Sequence, residues 1–226
     1  MEQTRQPSDS VAYPIAIIGA GSYGRVIAEL AEICGFTVIS YLDDSETKVD
    51  QALGGIPINV PITASLEQFP ANMSVAVAIG NNQARLRYLR QAQNLGFQTP
   101  SLISPQAVIS PSAKVEDACI LHVGCHVWTD AVIGYGSILS PHATVAHHTT
   151  LGRACFVSTG ANVGASVSVG DGVTVGISAS ISTGVKQLGN GSLVGAGAVV
   201  IRDTETNGVY VGNPAKLIRL VKENGA

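Results

Sequence analysis

The chain has 226 residues, enough for two modest domains and a sizeable core. It is 46% hydrophobic and 13% charged with a formal net charge of −3, which gives no electrostatic footprint for nucleic acid or an anionic membrane. No apolar run approaches the ~18 residues of a membrane span. Met1 to Ser10 are polar and lack the stretch of an export signal, so the four cysteines point to a cytoplasmic protein. So little charge also predicts faces covered by other subunits, with no membrane insertion and no nucleic-acid partner.

After a polar tail (1–12), a first domain is expected over 13–101. Pro14 to Ile18 read as a buried strand, followed by the glycine loop Gly19-Ala20-Gly21-Ser22-Tyr23-Gly24 and a helix with Val26, Ile27, Leu30 and Ile33 in helical spacing. Phe36 to Leu42 read as a second strand ending at Asp43-Asp44. The pattern is G-x-G-x-x-G between strand and helix with an acidic residue about 20 positions on. The glycines let backbone N–H groups approach a phosphate at a helix N-terminus, and Asp43 or Asp44 would bond a ribose hydroxyl or a base edge. Val75 to Ile79 form another buried strand, leading through Gly80-Asn81-Asn82 to a helix whose Arg85, Arg87 and Arg90 are expected to be solvated. Fewer than 90 residues separate Pro14 from Ile103. That is about one mononucleotide half of a Rossmann-like fold, which favours a mononucleotide or nucleotide-sugar site over a dinucleotide site. A nicotinamide-dependent oxidoreductase is therefore the weakest reading of the loop.

From Ile103 to Ile181 every sixth residue is Ile, Leu or Val, and after a one-residue slip the series resumes at Leu188, Val194 and Val200. This period predicts a parallel β-helix over 102–205, followed by a C-terminal tail (206–226). Three hexads make one coil, so residues 18 apart stack about 4.8 Å from each other. The position four after each aliphatic is small (Ala107, Ala113, Cys119, Cys125 and onward to Cys155 and Ala161). The three cysteines in this slot read as small buried corner residues.

The chain has five histidines. His122 and His126 share one hexad and are expected at the surface. His142 and His147 are five apart, as zinc ligands donated from coils can be. The positions one coil below them, however, are Gly124 and Thr129, and two coils below His142 lies Gln106. The alternative is general-base catalysis by His147. Ala165, 18 residues further on, would offer a backbone N–H as oxyanion donor. A zinc-dependent β-helix hydratase or hydrolase and a nucleotide-sugar-binding scaffold with weakened catalysis are the competing readings.

The residues resemble a known family over nearly the whole chain from about residue 14. The resemblance rests on Gly19 to Arg25, Leu42-Asp43-Asp44, Leu53 to Ile58 and Ala78 to Asn82 in the first domain. In the repeats and beyond it rests on Val145 to His148, Val157 to Ala161, Leu193 to Val199 and Gly212 to Lys216. The set resembles the sugar O-/N-acyltransferases of the sialic-acid O-acetyltransferase type, which include the UDP-amino-sugar N-acetyltransferase of bacillosamine synthesis. The resemblance implies a homotrimer with a left-handed β-helix, an acyl-CoA (acetyl-CoA) donor, a nucleotide-sugar acceptor and no metal. It places Gly19, Gly21, Ser22, Tyr23, Gly24, Asp43, Asp44 and Gly80 at the nucleotide sugar, and Phe156, Ala165, Ile177 and Ala196 at the acyl-CoA. It makes His147 the base in a direct acyl transfer. Where the family usually has Asp or Glu beside that base stands His148; Phe156 and Tyr23 stand where histidines are common, and Ser140 where Asn often sits.

Overall fold

The computed structural model describes residues 13–70 and 73–221; the expected 1–12 tail and the last five residues of the C-terminal tail lie outside the described residues. The first domain contains the strands β1 (Tyr13–Ile18), β2 (Phe36–Leu42), β3 (Ala52–Leu53), β4 (Ile56–Asn59) and β5 (Ser74–Val77), with the helices α1 (Ser22–Ile33), α2 (Ile62–Leu66) and α3 (Asn82–Asn94). The sheet order is β3-β4-β2-β1-β5, parallel except for the β3–β4 hairpin. Ile15, Ile17 and Ile18 of β1 are fully buried because β1 lies between β2 and β5, and its continuous apolar run suits a strand covered on both sides. On α1 the buried stripe is Ile27, Ala28, Leu30 and Ala31, whereas Val26 and Ile33 face outward.

The second domain is a prism with three parallel-sheet faces. Chain order visits the faces in turn: Ile138–Leu139 lies on the first face, Thr144–Val145 on the second, Thr150–Leu151 on the third and Phe156–Val157 on the first again. Strand pairing follows the 18-residue ruler, as in Leu139↔Val157 and Val145↔Val163. The second residue of each pair points inward, and these aliphatics join the corner residues Cys119, Cys125, Ala143, Cys155 and Ala161 in one narrow core. The corner thiols donate to carbonyls 15 residues further on, for example Cys119 Sγ to Gly134 O at 3.3 Å and Cys155 Sγ to Gly170 O at 3.1 Å. Nearly every hexad also has its fourth residue in the left-handed region, including Asp130 (φ 55°), His148 (φ 59°) and Ser166 (φ 59°).

The slip after Ile181 is absorbed at the second–third edge, where Thr183 and Val185 bridge across Gly184 (φ 104°). Across it the pairing step becomes 19, as in Val169↔Leu188. The segment expected to be a tail from 206 contains Gly208–Val211, which pairs with Leu193–Val194 and so extends the first face; Lys216–Leu220 then folds back on it antiparallel.

The two domains share a core. Outward residues of the first face, Leu102, Ile120 and Ile138, pack with Ile27, Leu30, Ala31 and Tyr41. Arg85, expected in solvent, is 1% exposed. Its guanidinium donates to Gly136 O (2.8 Å), Ala154 O (2.8 Å), Ile79 O (3.0 Å) and Asn82 Oδ1 (2.8 Å). Burial lowers its pKa to about 10, which leaves it charged at neutral pH. A planar five-donor group meets several carbonyls at once, which a lysine cannot. Arg87 and Arg90 are exposed as expected.

Candidate functional site

The glycine loop is held from below by Asp43. The Ala20 N–H donates to Asp43 Oδ2 (2.9 Å), the Ser45 N–H to Oδ1 (2.9 Å), and Lys48 Nζ lies 2.6 Å from Oδ2. Burial would raise the Asp43 pKa; Lys48 and the two amides outweigh it and hold the carboxyl below its ordinary range. Asp44 accepts from the Ile62 N–H at the start of α2 (2.9 Å) and from the Tyr88 hydroxyl. Both aspartates are thus engaged within the chain, and each carboxylate keeps lone pairs for a ligand hydroxyl.

The glycines of the loop differ in what demands them. A Cβ on Gly24 would lie 2.0 Å from Gly19 O, and one on Gly19 would lie 2.9 Å from Ala78 O, so chain packing excludes side chains at both. Gly21 (φ −92°) and Gly80 have nothing within 4 Å of such a Cβ. The first turn of α1 has no side-chain cap and no acidic residue, leaving its N–H groups open beside Gly21 and Ser22. Gly80 opens onto a cavity of about 430 Å³ between the α3 N-terminus and the third–first edge of the prism, lined by Asn82, Arg153, Asp171 and Asn190.

Tyr23 points from the loop to the first face. Its hydroxyl is 3.2 Å from His122 Nε2, and its ring centroid is 6.5 Å from that of Phe156. Burial pushes the phenol well above its ordinary pKa and lowers that of His122. His122, expected at the surface, is 6% exposed, because the first domain covers the edge it sits on. Phe156 likewise packs between the domains.

His147 and His148 stand exposed on the second–third edge, diagonally across the prism from the first face. Their Nδ1 atoms are 3.0 Å apart, His148 Nε2 lies 3.5 Å from Asp130 Oδ2, and the exposed Trp128 ring lies 6.3 Å from the His147 ring. Ala165 is stacked one coil away, with the Ser166 N–H bonded to His147 O (3.0 Å). The Ala165 N–H meets Thr183 Oγ1 at 3.4 Å, a long contact that leaves the donor weakly engaged. Ile177 and Ala196 stack on a different edge, between the first and second faces, and both are exposed.

One chain therefore brings together three groups: the glycine loop with Asp43, Asp44 and Phe156; Ile177 with Ala196; and His147, His148 and Ala165. It does not join the three. Ser140, on the first–second edge, is 7% exposed. Asp130 and Trp128 were not singled out by the sequence reading, although 148 − 18 = 130 points to the first. Among the described residues no three His, Cys, Asp or Glu side chains form a metal-binding group, and no helix is long and apolar enough to cross a membrane.

The hexad-repeat prism thus bears histidines on an exposed edge and a nucleotide-type glycine loop on the opposite side. Residues 14–92 match the PglD N-terminal domain family. The acetyltransferase domain of PglB from Neisseria gonorrhoeae, solved with acetyl coenzyme A, is 31% identical over 92% of this chain and 100% of that one, with a TM-score of 0.85. GDP-perosamine N-acetyltransferase from Caulobacter crescentus, solved with CoA and GDP-perosamine, is 31% identical over 92% of this chain and 97% of that one, with a TM-score of 0.83. Serine acetyltransferase 2 from Arabidopsis thaliana is 32% identical over 51% of this chain; the chain spans about a third of that curated relative's length, the match covering 33% of it. The chain belongs to the left-handed β-helix acetyltransferases that carry a PglD-type N-terminal domain.

Proposed function

We propose that this protein transfers an acyl group, acetyl in the first instance, from acyl-CoA to an amino or hydroxyl group of a nucleotide-linked sugar. Gly21 and Gly80 carry the reading. Neither needs to be glycine for the fold, and both border open space where a ligand backbone-close to the chain needs the room. Phosphate at the open α1 N-terminus is favoured by the unpaired N–H groups and the helix dipole. The CoA and GDP-perosamine bound by the Caulobacter relative supply the matching substrate classes. His147 takes the acceptor proton, the Ala165 N–H steadies the oxyanion, and the acyl group passes directly between substrates.

Because His147 lies across the prism from the glycine loop of its own chain, the site is assembled between subunits, and a homotrimer meets that need. The second face and the first–second edge support this arrangement. Between Ile103 and Val200 they carry no Asp, Glu, Lys or Arg, whereas Lys114, Glu116, Asp117, Arg153 and Asp171 all fall on the third face or the third–first edge. Ile177 and Ala196, on the uncharged side, then line the acyl-CoA groove, and Phe156 lies where the groove meets the glycine loop.

The test is CoA release from acetyl-CoA with a panel of UDP-, dTDP-, GDP- and CMP-sugars. With the sugar that turns over, His147→Ala should lower kcat by about 10²–10⁴-fold with the fold intact. Near-normal turnover in that variant removes the assignment.

A further inference from the structure

The two histidines and Asp130 form a chain of contacts whose protons can be placed in only one useful way. His147 Nδ1 and His148 Nδ1 face each other at 3.0 Å. Two neutral imidazoles share such a contact only if one nitrogen holds the proton and the other accepts it. If His147 is to take a proton on Nε2, that nitrogen must be bare, so His147 carries its proton on Nδ1 and donates it to His148. The accepting Nδ1 of His148 is then bare, and His148 carries its own proton on Nε2. That nitrogen lies 3.5 Å from Asp130 Oδ2. The backbone builds the arrangement: Asp130 and His148 occupy the same left-handed slot of consecutive coils, and the His148 N–H bonds Thr129 O at 3.0 Å, locking the coils in step.

We propose that Asp130 is a positioning residue for His147, acting through His148. The inference rests on His147 being the general base. The Asp130 carboxylate, 3.5 Å from His148 Nε2, favours the proton on that nitrogen; this leaves the His148 Nδ1 lone pair turned to His147 and favours the His147 tautomer with Nε2 free. When His147 Nε2 accepts the acceptor's proton, the imidazolium charge is stabilised across His148 by the Asp130 carboxylate. No proton need leave His148 or Asp130 in this step. The side chains of His148 and Asp130 are 59% and 52% exposed in the single chain, so the pair adds little to folding stability in water. Its effect is on the proton arrangement, and it strengthens where a neighbouring subunit excludes solvent. His148 and Asp130 are the titratable groups of the described residues in contact with this imidazole pair; Trp128 supplies its apolar wall.

The experiment compares Asp130→Asn, His148→Ala and His147→Ala in the full-length protein, using acetyl-CoA and the sugar nucleotide that turns over. Asp130→Asn keeps an acceptor oxygen for His148 but removes the charge, so kcat should fall on the order of tenfold, with KM for acetyl-CoA unchanged. His148→Ala should lower kcat further, toward but not beyond the 10²–10⁴-fold of losing the base. A readout independent of turnover is the ring ¹⁵N spectrum. His147 should be the Nδ1–H tautomer in the unaltered protein and revert to the ordinary Nε2–H form in His148→Ala. If both variants keep the normal kcat and tautomer while His147→Ala is inactive, the relay is wrong and the base stands. A loss of kcat with no change in the tautomer also overturns the relay. An active His147→Ala overturns the reading beneath it.

Discussion

At the scale of single residues, the glycine loop separates two demands that one motif merges. Gly24 is fixed by a 2.0 Å approach of Gly19 O to any Cβ, whereas Gly21 faces open space. Gly24→Ala should therefore destabilise the first domain, seen as a lowered midpoint in urea unfolding. Gly21→Ala should leave that midpoint in place and raise KM for the sugar nucleotide; a normal KM would take Gly21 out of the site. The motif itself was plain in the sequence, but this division was not, since it depends on what lies above each Cα. Arg85 and His122 were misread for a related reason. Exposure was inferred from charge and from position in a hexad, and both residues are buried by the packing of one domain on the other. Asp130 was within reach of the 18-residue ruler, because its slot and that of His148 are the same.

At the scale of elements, the hexad period specifies coil height, face order and corner composition. It did not tell which face would be covered. The signal was present in the outward member of each strand pair: Leu102, Ile120, Ile138 and Phe156 on the first face against Lys114, Val132 and Thr150 on the third. The corner cysteines lie deeper than Cys34. Burial pushes the thiol of Cys119 up to about 12 and those of Cys125 and Cys155 up to about 11. Only thiolates attack disulfide reagents; burial raises the Cys34 thiol as well, but Cys34 is only half-buried, so under native conditions at pH 8 one thiol per chain, Cys34, should react, and slowly. The other three should appear only on unfolding, as counted by mass spectrometry after alkylation. Rapid native labelling of Cys125 or Cys155 would contradict the corner assignment.

At the scale of the whole molecule, the distribution of charge and the separation of the site's parts make the same demand. A face free of formal charge is adjacent to the edge that bears His147, and the glycine loop is on the far side. Asn162 projects from the middle of the uncharged face and is exposed in the single chain. For the proposed homotrimer with a shared site, Asn162→Arg should leave far-ultraviolet circular dichroism unchanged, give a monomer in sedimentation, and abolish turnover. An active monomer would refute the shared site. The polarity of the face was legible in the sequence once the ruler was known, whereas the three-fold number came only from family resemblance.

The bulge at Gly184 has a consequence for anyone who edits the solenoid. Below it, splicing in or cutting out one coil means moving 18 residues, and every stacked pair, Asp130 with His148 included, keeps its partner. Across it the unit is 19, and wholly above it 16, as in Leu193↔Val209. The positive φ of Gly184 lets a single residue loop outward at an edge without rotating the aliphatic ladder that follows. The β-helix therefore tolerates odd insertions at its edges and only whole-coil changes in its faces, so grafted side-chain pairs must be counted from the correct side of residue 184.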